Sequence, residues 1–160
     1  MPVPEEIENN GGACFGETKI AGQIVRVLGL CIPYHMSKFN LSDGEKTRPW
    51  EDHLVFLDLL EPWLNTIARD LPLLIAGDFN QRIPRVWSPY RVYDRMMEVF
   101  SSFDFATTGS LSPLDEPTID HIAVTEKVRV ERVEVRSRFE SDGRPRSDHF
   151  GVVVDFEAED

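Results

Sequence analysis

The sequence predicts an α/β sandwich, and three observations carry that expectation. Short, nearly unbroken apolar runs at 24–32 and 73–76 have the length of strands buried on both faces, and 119–124 reads as a third strand. Two longer stretches, from Trp50 and from Val92, repeat apolar residues at three- and four-residue steps, the period of a helix packed on one side. Helices and strands alternate along the chain, which favours helices layered on a sheet. The 160 residues, 41% hydrophobic and 28% charged, suffice for one packed core and exclude wholesale disorder.

In order, residues 1–18 read as an irregular acidic segment with Asn9-Asn10-Gly11-Gly12 at its centre. Ile24 to Ile32 is the first buried strand and Pro33 stops it. Residues 37–49 are polar, with a turn at Ser42-Asp43-Gly44. Trp50, Leu54, Leu57, Leu60, Leu64, Ile67 and Leu71 mark the long helix, which Pro62 is expected to kink or divide. Leu73–Ala76 is the second buried strand, residues 81–90 are a loop, and Val92, Met96, Val99, Phe100 and Phe103 mark the second helix. Ile119–Val124 is a third strand. Val133, Val135, Ser137 and Phe139 alternate with charges, as in a strand with one wet face. Ser141-Asp142-Gly143 turns the chain into a last strand, Phe150–Phe156, before the acidic tail 157–160.

Seventeen Lys and Arg against 28 Asp and Glu leave a net charge of −11, which disfavours a general nucleic-acid coater. Locally the balance reverses. Residues 82–95 sum to +3, through Arg82, Arg85, Arg91 and Arg95 against Asp94, and residues 127–146 sum to another +3. Two basic islands in an acidic protein can hold a phosphate locally, or can be solvated faces. No run is long and apolar enough for a transmembrane helix. The start, Met1-Pro2-Val3-Pro4-Glu5-Glu6, lacks a signal peptide's basic and apolar regions, so a cytoplasmic location is expected. Cys14 and Cys31 make no disulfide framework and suit a reducing compartment.

Three polar clusters fall at strand ends. Asp78 and Asn80 follow the second strand, Asp120 and His121 lie in the third, and Asp148 and His149 open the last. A carboxylate set into an apolar strand is costly to bury unless paired. Three such costs in a small chain are best met if the clusters share one site. Oxygen ligands suit a hard cation such as Mg²⁺, and a neighbouring histidine can act as acid, base or phosphate donor. Taken singly each cluster has a plainer reading: a turn or cap, an arginine partner, a strand start.

Taken together, Gly77-Asp78-Phe79-Asn80, Ile119-Asp120-His121-Ile122 and Ser147-Asp148-His149-Phe150-Gly151 resemble, in order, the last motifs of the endonuclease/exonuclease/phosphatase superfamily. The resemblance implies a partial four-layer α/β sandwich. Residues 19–156 would be the C-terminal portion of such a domain, preceded by the irregular segment 1–18 and followed by the tail, with the N-terminal half missing. It implies a metal-dependent phosphoester hydrolase, a nuclease or phosphatase, using Mg²⁺ or Mn²⁺. Asp78 would orient or deprotonate the attacking water. Asn80 would hold a phosphate oxygen or that water. Asp120 would fix the tautomer of His149, the residue at the phosphate, and Asp148, with Asp78, would bind the metal. His121, pointing to the other side of its strand, is expected to be structural.

Cys31-Ile32-Pro33-Tyr34-His35 falls where the family carries a histidine or tyrosine near the phosphate. His35 is the catalytic candidate and Tyr34 the alternative, with Cys31 expected in the core. His53 is expected to cap the long helix or lie at the surface. Arg82 and Arg85, after Asn80, are candidate phosphate contacts, and surface arginines otherwise. Neither a Gly-rich phosphate loop nor an interleaved aromatic stacking surface is apparent. The family's first half supplies an asparagine and a metal-binding glutamate, and nothing before Ile24 has that form. The chain alone is therefore expected to be a weak enzyme, or else an inactive module that binds a partner or ligand. Candidate substrates are DNA, RNA, an inositol phosphate and a lipid headgroup. A sandwich lacking half its partner surface would leave an apolar face open to self-association.

Overall fold

The computed structural model of the chain describes residues 2–38 and 48–158. The elements run α1 (Glu5–Asn10), β1 (Gly12–Ile20), β2 (Gln23–Cys31), α2 (Glu51–Ile67), β3 (Leu73–Asp78), α3 (Tyr90–Val99), β4 (Asp104–Phe105), β5 (Asp120–Val124), β6 (Val128–Arg136) and β7 (Gly151–Ala158). Five strands form one sheet in the order β1-β2-β3-β5-β4, and β6 pairs with β7 in a separate two-stranded sheet.

The connections explain this order. β1 and β2 are antiparallel, closed by Ala21-Gly22 with both φ angles positive, the turn whose twist matches a hairpin. β2 and β3 are parallel, and such a pair needs a crossover; α2 supplies it. β5 returns antiparallel to β3. Alternate residues of the central strands, Leu28 and Leu30 with Leu73 and Ile75, are buried with Phe56, Leu57, Leu60 and Leu64 of α2 and Met96 and Val99 of α3 in one core. The other side of the sheet is partly open. Val27 is 37% exposed, and Cys14 and Cys31 reach the surface. Cys31 is thus not a core residue: it ends β2 on the side away from Leu30.

Residues 1–18, expected to be irregular, instead contain α1 and most of β1. Ile7, 1% exposed, anchors α1 in the core. β1 is an edge strand with no buried residue, so it lacks the apolar run that betrays β2. Pro62 lies inside α2 and does not divide it. The helix is held by what it buries, Phe56, Leu57, Leu60, Trp63, Leu64 and Ile67, and that packing outweighs one lost backbone bond. The last strand is not a sheet neighbour of β5. It pairs with β6 and touches β5 only in passing. Glu157 and Ala158, read as tail, complete β7 opposite Arg129 and Val128. The turn expected at 42–44 lies outside the described residues.

Candidate active site

The site grows from the ends of adjacent strands. Cys31 of β2 pairs with Asp78 of β3, and Asp78 pairs with Asp120 of β5. Residues paired across a sheet share a face, so the two carboxylates stand side by side at one sheet end. Gly77 permits this arrangement. Its φ is +154°, and a Cβ there would lie 1.8 Å from the carbonyl oxygen of Leu30. Only glycine lets β3 close on β2 while still presenting Asp78.

Beyond Asp78 the chain doubles back. Asn80 has φ +52°, a left-handed conformation that asparagine tolerates better than most residues. Its backbone N–H donates to Asp78 Oδ1 at 2.8 Å. Its Nδ2 donates to Asp78 Oδ2 at 3.0 Å and to the Ile32 carbonyl at 2.8 Å. Both amide hydrogens are therefore committed, which makes Asn80 a clamp on Asp78 and leaves its Oδ1 to accept. Burial raises the Asp78 carboxyl above the usual range and Asp120 adds repulsion, while Asn80 and His149 oppose the rise.

His149 joins from the start of the second sheet. Its Nδ1 lies 2.8 Å from Asp120 Oδ2 and 3.0 Å from Oδ1. The pairing raises the histidine pKa, chiefly through that hydrogen bond. With Nδ1–H donated to the carboxylate, Nε2 becomes the nitrogen that exchanges protons. The Ser147 hydroxyl accepts from the His149 backbone N–H at 3.0 Å and shapes the turn. A cleft of about 350 Å³ adjoins the pair, lined by Arg82, Asp120, Arg138, Asp148, His149 and Phe150 among others.

The remaining expected residues fall into place unevenly. Asp148 is exposed and acts on His149 as a nearby charge. Arg82 reaches the cleft but is held by Glu116 at 2.9 Å and the Pro117 carbonyl at 3.0 Å. Arg85 donates to the Ser88 carbonyl and lies 3.7 Å over the Tyr90 ring. His35 sits among rings, 5.2 Å from Trp87 and 5.6 Å from Trp50. Tyr34 is beside it, exposed. Among the described residues no group of three or more His, Cys, Asp or Glu is placed to hold a metal ion. Each Asp78 oxygen accepts one hydrogen bond from Asn80 and keeps a further lone pair, but Asp148 stands in solvent, so these residues do not compose a metal-holding set on their own.

Several supporting residues escape a sequence reading. His53 is fully buried rather than a cap or surface residue. Its Nδ1–H donates to the Pro33 carbonyl at 2.8 Å and its Nε2 accepts from Gln81 Nε2 at 3.2 Å, stitching the loop after β2 to the loop after β3. Burial pushes its pKa down to about 4, so it is neutral at pH 7. His121 is structural, as expected: Nε2–H donates to the Gln81 carbonyl at 2.9 Å and Nδ1 accepts from Thr107 at 2.8 Å. Arg138 lies 5.1 Å from the rings of both Phe139 and Phe150 and donates to the Asp148 carbonyl. Apart from Phe139, which adjoins Arg138, none of these partners is near in sequence, and each of those contacts arises only when distant segments meet.

No family model and no curated protein matches the sequence. Solved structures do match. An endonuclease/exonuclease/phosphatase from Bacteroides vulgatus superposes with TM-score 0.60 at 19% identity, over 92% of this chain and 55% of that one. A mannosyl-6-phosphatase from Bacteroides thetaiotaomicron gives 0.55 at 19% identity, over 91% and 56%. TDP2 of D. rerio, in complex with a single-strand DNA product, gives 0.59 at 12% identity, over 91% and 61%. The chain has the α/β fold of endonuclease/exonuclease/phosphatase structures and spans little more than half the length of those it matches.

Proposed function

We propose that the chain carries the Asp78–Asn80 and Asp120–His149 portion of a phosphoester-hydrolase site. The observation that supports this best is the His149–Asp120 contact at 2.8 Å, made from the bend that precedes β7 to a residue of β5 that pairs directly opposite Asp78. The neighbours in fold include enzymes of phosphoester chemistry, and one holds single-strand DNA.

The chemistry follows from the groups present. A water between Asp78 and the phosphorus attacks in line with the leaving oxygen. Asp78, its basicity raised by burial, takes the proton, and Asn80 Oδ1 orients the water by accepting its second hydrogen. The phosphorus–water oxygen bond forms as the bond to the leaving oxygen breaks. His149, whose protonated form the hydrogen bond to Asp120 favours, gives that oxygen a proton from Nε2. Asp120 holds Nδ1–H throughout. Arg82 and Arg138 put positive charge on the cleft wall where phosphoryl oxygens gather. Mg²⁺ or Mn²⁺ enters no step here, because the described residues do not gather its ligands; either ion is an arm of the test. Candidate substrates are phosphodiesters and phosphomonoesters, nucleic acid included.

The test is hydrolysis of a p-nitrophenyl phosphodiester and of the monoester, with Mg²⁺, with Mn²⁺ and with chelator. Turnover by this chain is expected to be slow, and to fall about a hundredfold or more in Asp78→Ala and in His149→Ala, the usual scale of acid–base groups. Turnover equal in all three proteins refutes the site. No turnover under any condition supports instead an inactive module that binds a ligand.

A further inference from the structure

The sequence shows no interleaved aromatic surface, but the fold assembles one. Tyr34 and His35 follow β2, Trp87 follows β3, and Trp50 precedes α2. His35 packs edge-on to Tyr34 and Trp87 at 5.9 and 5.2 Å, and Trp50 lies 5.1 Å from Trp87. Trp50 is buried at 4% exposure, yet Trp87 and Tyr34 keep 52% and 51% of their surface open. Trp50 supports Trp87 directly and Tyr34 by way of His35, and both outer rings keep about half their surface in water. Exposed apolar surface of this kind marks a binding surface.

Its position ties it to the site. Both segments leave the carboxyl ends of parallel strands, where ligands of α/β sheets bind. Asn80 is bonded to the Ile32 carbonyl, and Tyr34 is two residues further on, at most about 7 Å along the chain. His53 and Gln81 lock the two segments together.

We propose that Trp87 and Tyr34 are a stacking platform for a nucleobase attached to the phosphate that reacts between Asp78 and His149; the inference rests on the hydrolase reading of that site. Three features select a base over other occupants. The rings are planar and rigid, and base–aromatic stacking accepts any base. Of the basic residues at 82–95, Arg82 is paired with Glu116 and Arg95 with Asp58 and Glu61, while Arg85, over the Tyr90 ring two residues before Trp87, supplies positive charge that suits a short phosphate-bearing ligand. Residues 34–38 and 85–90 contain no carboxylate or amide side chain, the groups that would read a sugar's hydroxyls.

The experiment is calorimetric binding by the whole chain in chelator, so that turnover plays no part. The probes are a mononucleotide, a single-stranded trinucleotide and the same trinucleotide with its bases removed. Wild type is expected to bind the base-bearing strand about tenfold more tightly than the abasic one, the scale of one stacked base. Trp87→Ala and Tyr34→Ala should erase that preference and Trp87→Phe should keep it. Both rings are exposed, so these variants keep the core, and circular dichroism confirms it. The mononucleotide separates a single-nucleotide site from one that needs a strand. Equal affinity for the two strands, or a preference untouched by Trp87→Ala, overturns the platform. So does a Trp87→Ala effect on sedimentation without one on base binding, which would make the patch an interface between copies. A base preference without Asp78-dependent hydrolysis would refute the hydrolase and leave the platform standing.

Discussion

His149 and His53 show how one residue type takes opposite electrostatic roles. The His149 ring is partly exposed and faces Asp120, so its folded pKa is raised. The stability it contributes is full below its unfolded pKa and is lost as pH climbs through the folded one. In Asp120→Asn the His149 titration should move down toward the ordinary histidine value. An NMR titration that stays unchanged would mean that the carboxylate does not hold the ring. His53 is buried and neutral, with its pKa lowered to about 4. It contributes stability above the unfolded value near 6.5, lost as pH falls toward 4. His53 alone should therefore remove about 3 kcal/mol across that window, at about 1.4 kcal/mol per pH unit. Urea unfolding at pH 7 and at pH 4.5 should show that loss shrinking in His53→Gln. The sequence made Asp78, Asn80, Asp120 and His149 legible because polar residues interrupting apolar strands are expensive and so conspicuous. It hid His53, since a histidine near a helix start looks solvated until the Pro33 carbonyl and Gln81 close over it.

At the scale of elements, the apolar central strands were readable and the wet or edge ones were not, although β2, expected to be buried on both faces, buries only the face toward α2 and α3. β2, β3 and β5 announce themselves by apolar runs. β1 does not, because both its faces carry Gly, Lys, Glu and Thr and only its pairing with β2 makes it a strand. Likewise, periodicity finds β6 and β7 but cannot say which sheet they join. The tightest element contact lies at Gly77, where an added Cβ meets the Leu30 backbone, which no side-chain rotation can relieve. Gly77→Ala should cost about 3 kcal/mol, the upper end of overpacking effects, or move Asp78 out of register. Chemical denaturation reads the first outcome and the loss of the Asp120–His149 coupling by NMR reads the second. A variant with wild-type stability and coupling would show that β2 and β3 are not so close.

For the molecule as a whole, the sheet has one face packed by α2 and α3 and one face with Val27, Cys14 and Cys31 at the surface. Among the described residues no helix is long and apolar enough to cross a membrane. We propose that the open face mediates self-association, countered by the repulsion of a −11 charge. Sedimentation should therefore show association that rises with salt, as screening weakens that repulsion, and that falls in Val27→Lys. Association unaffected by either would place the contact elsewhere.

The central claim is that three strand ends converge on one phosphate. It is tested most directly by titrating the ¹⁵N-labelled chain with methyl phenylphosphonate, a stable phosphodiester mimic, and following the His149 ring and Asn80 side-chain signals. We expect both to shift together along one saturation curve, and that curve to weaken in Asp120→Asn. Saturation that moves surface arginine signals while His149 and Asn80 stay still would contradict the claim.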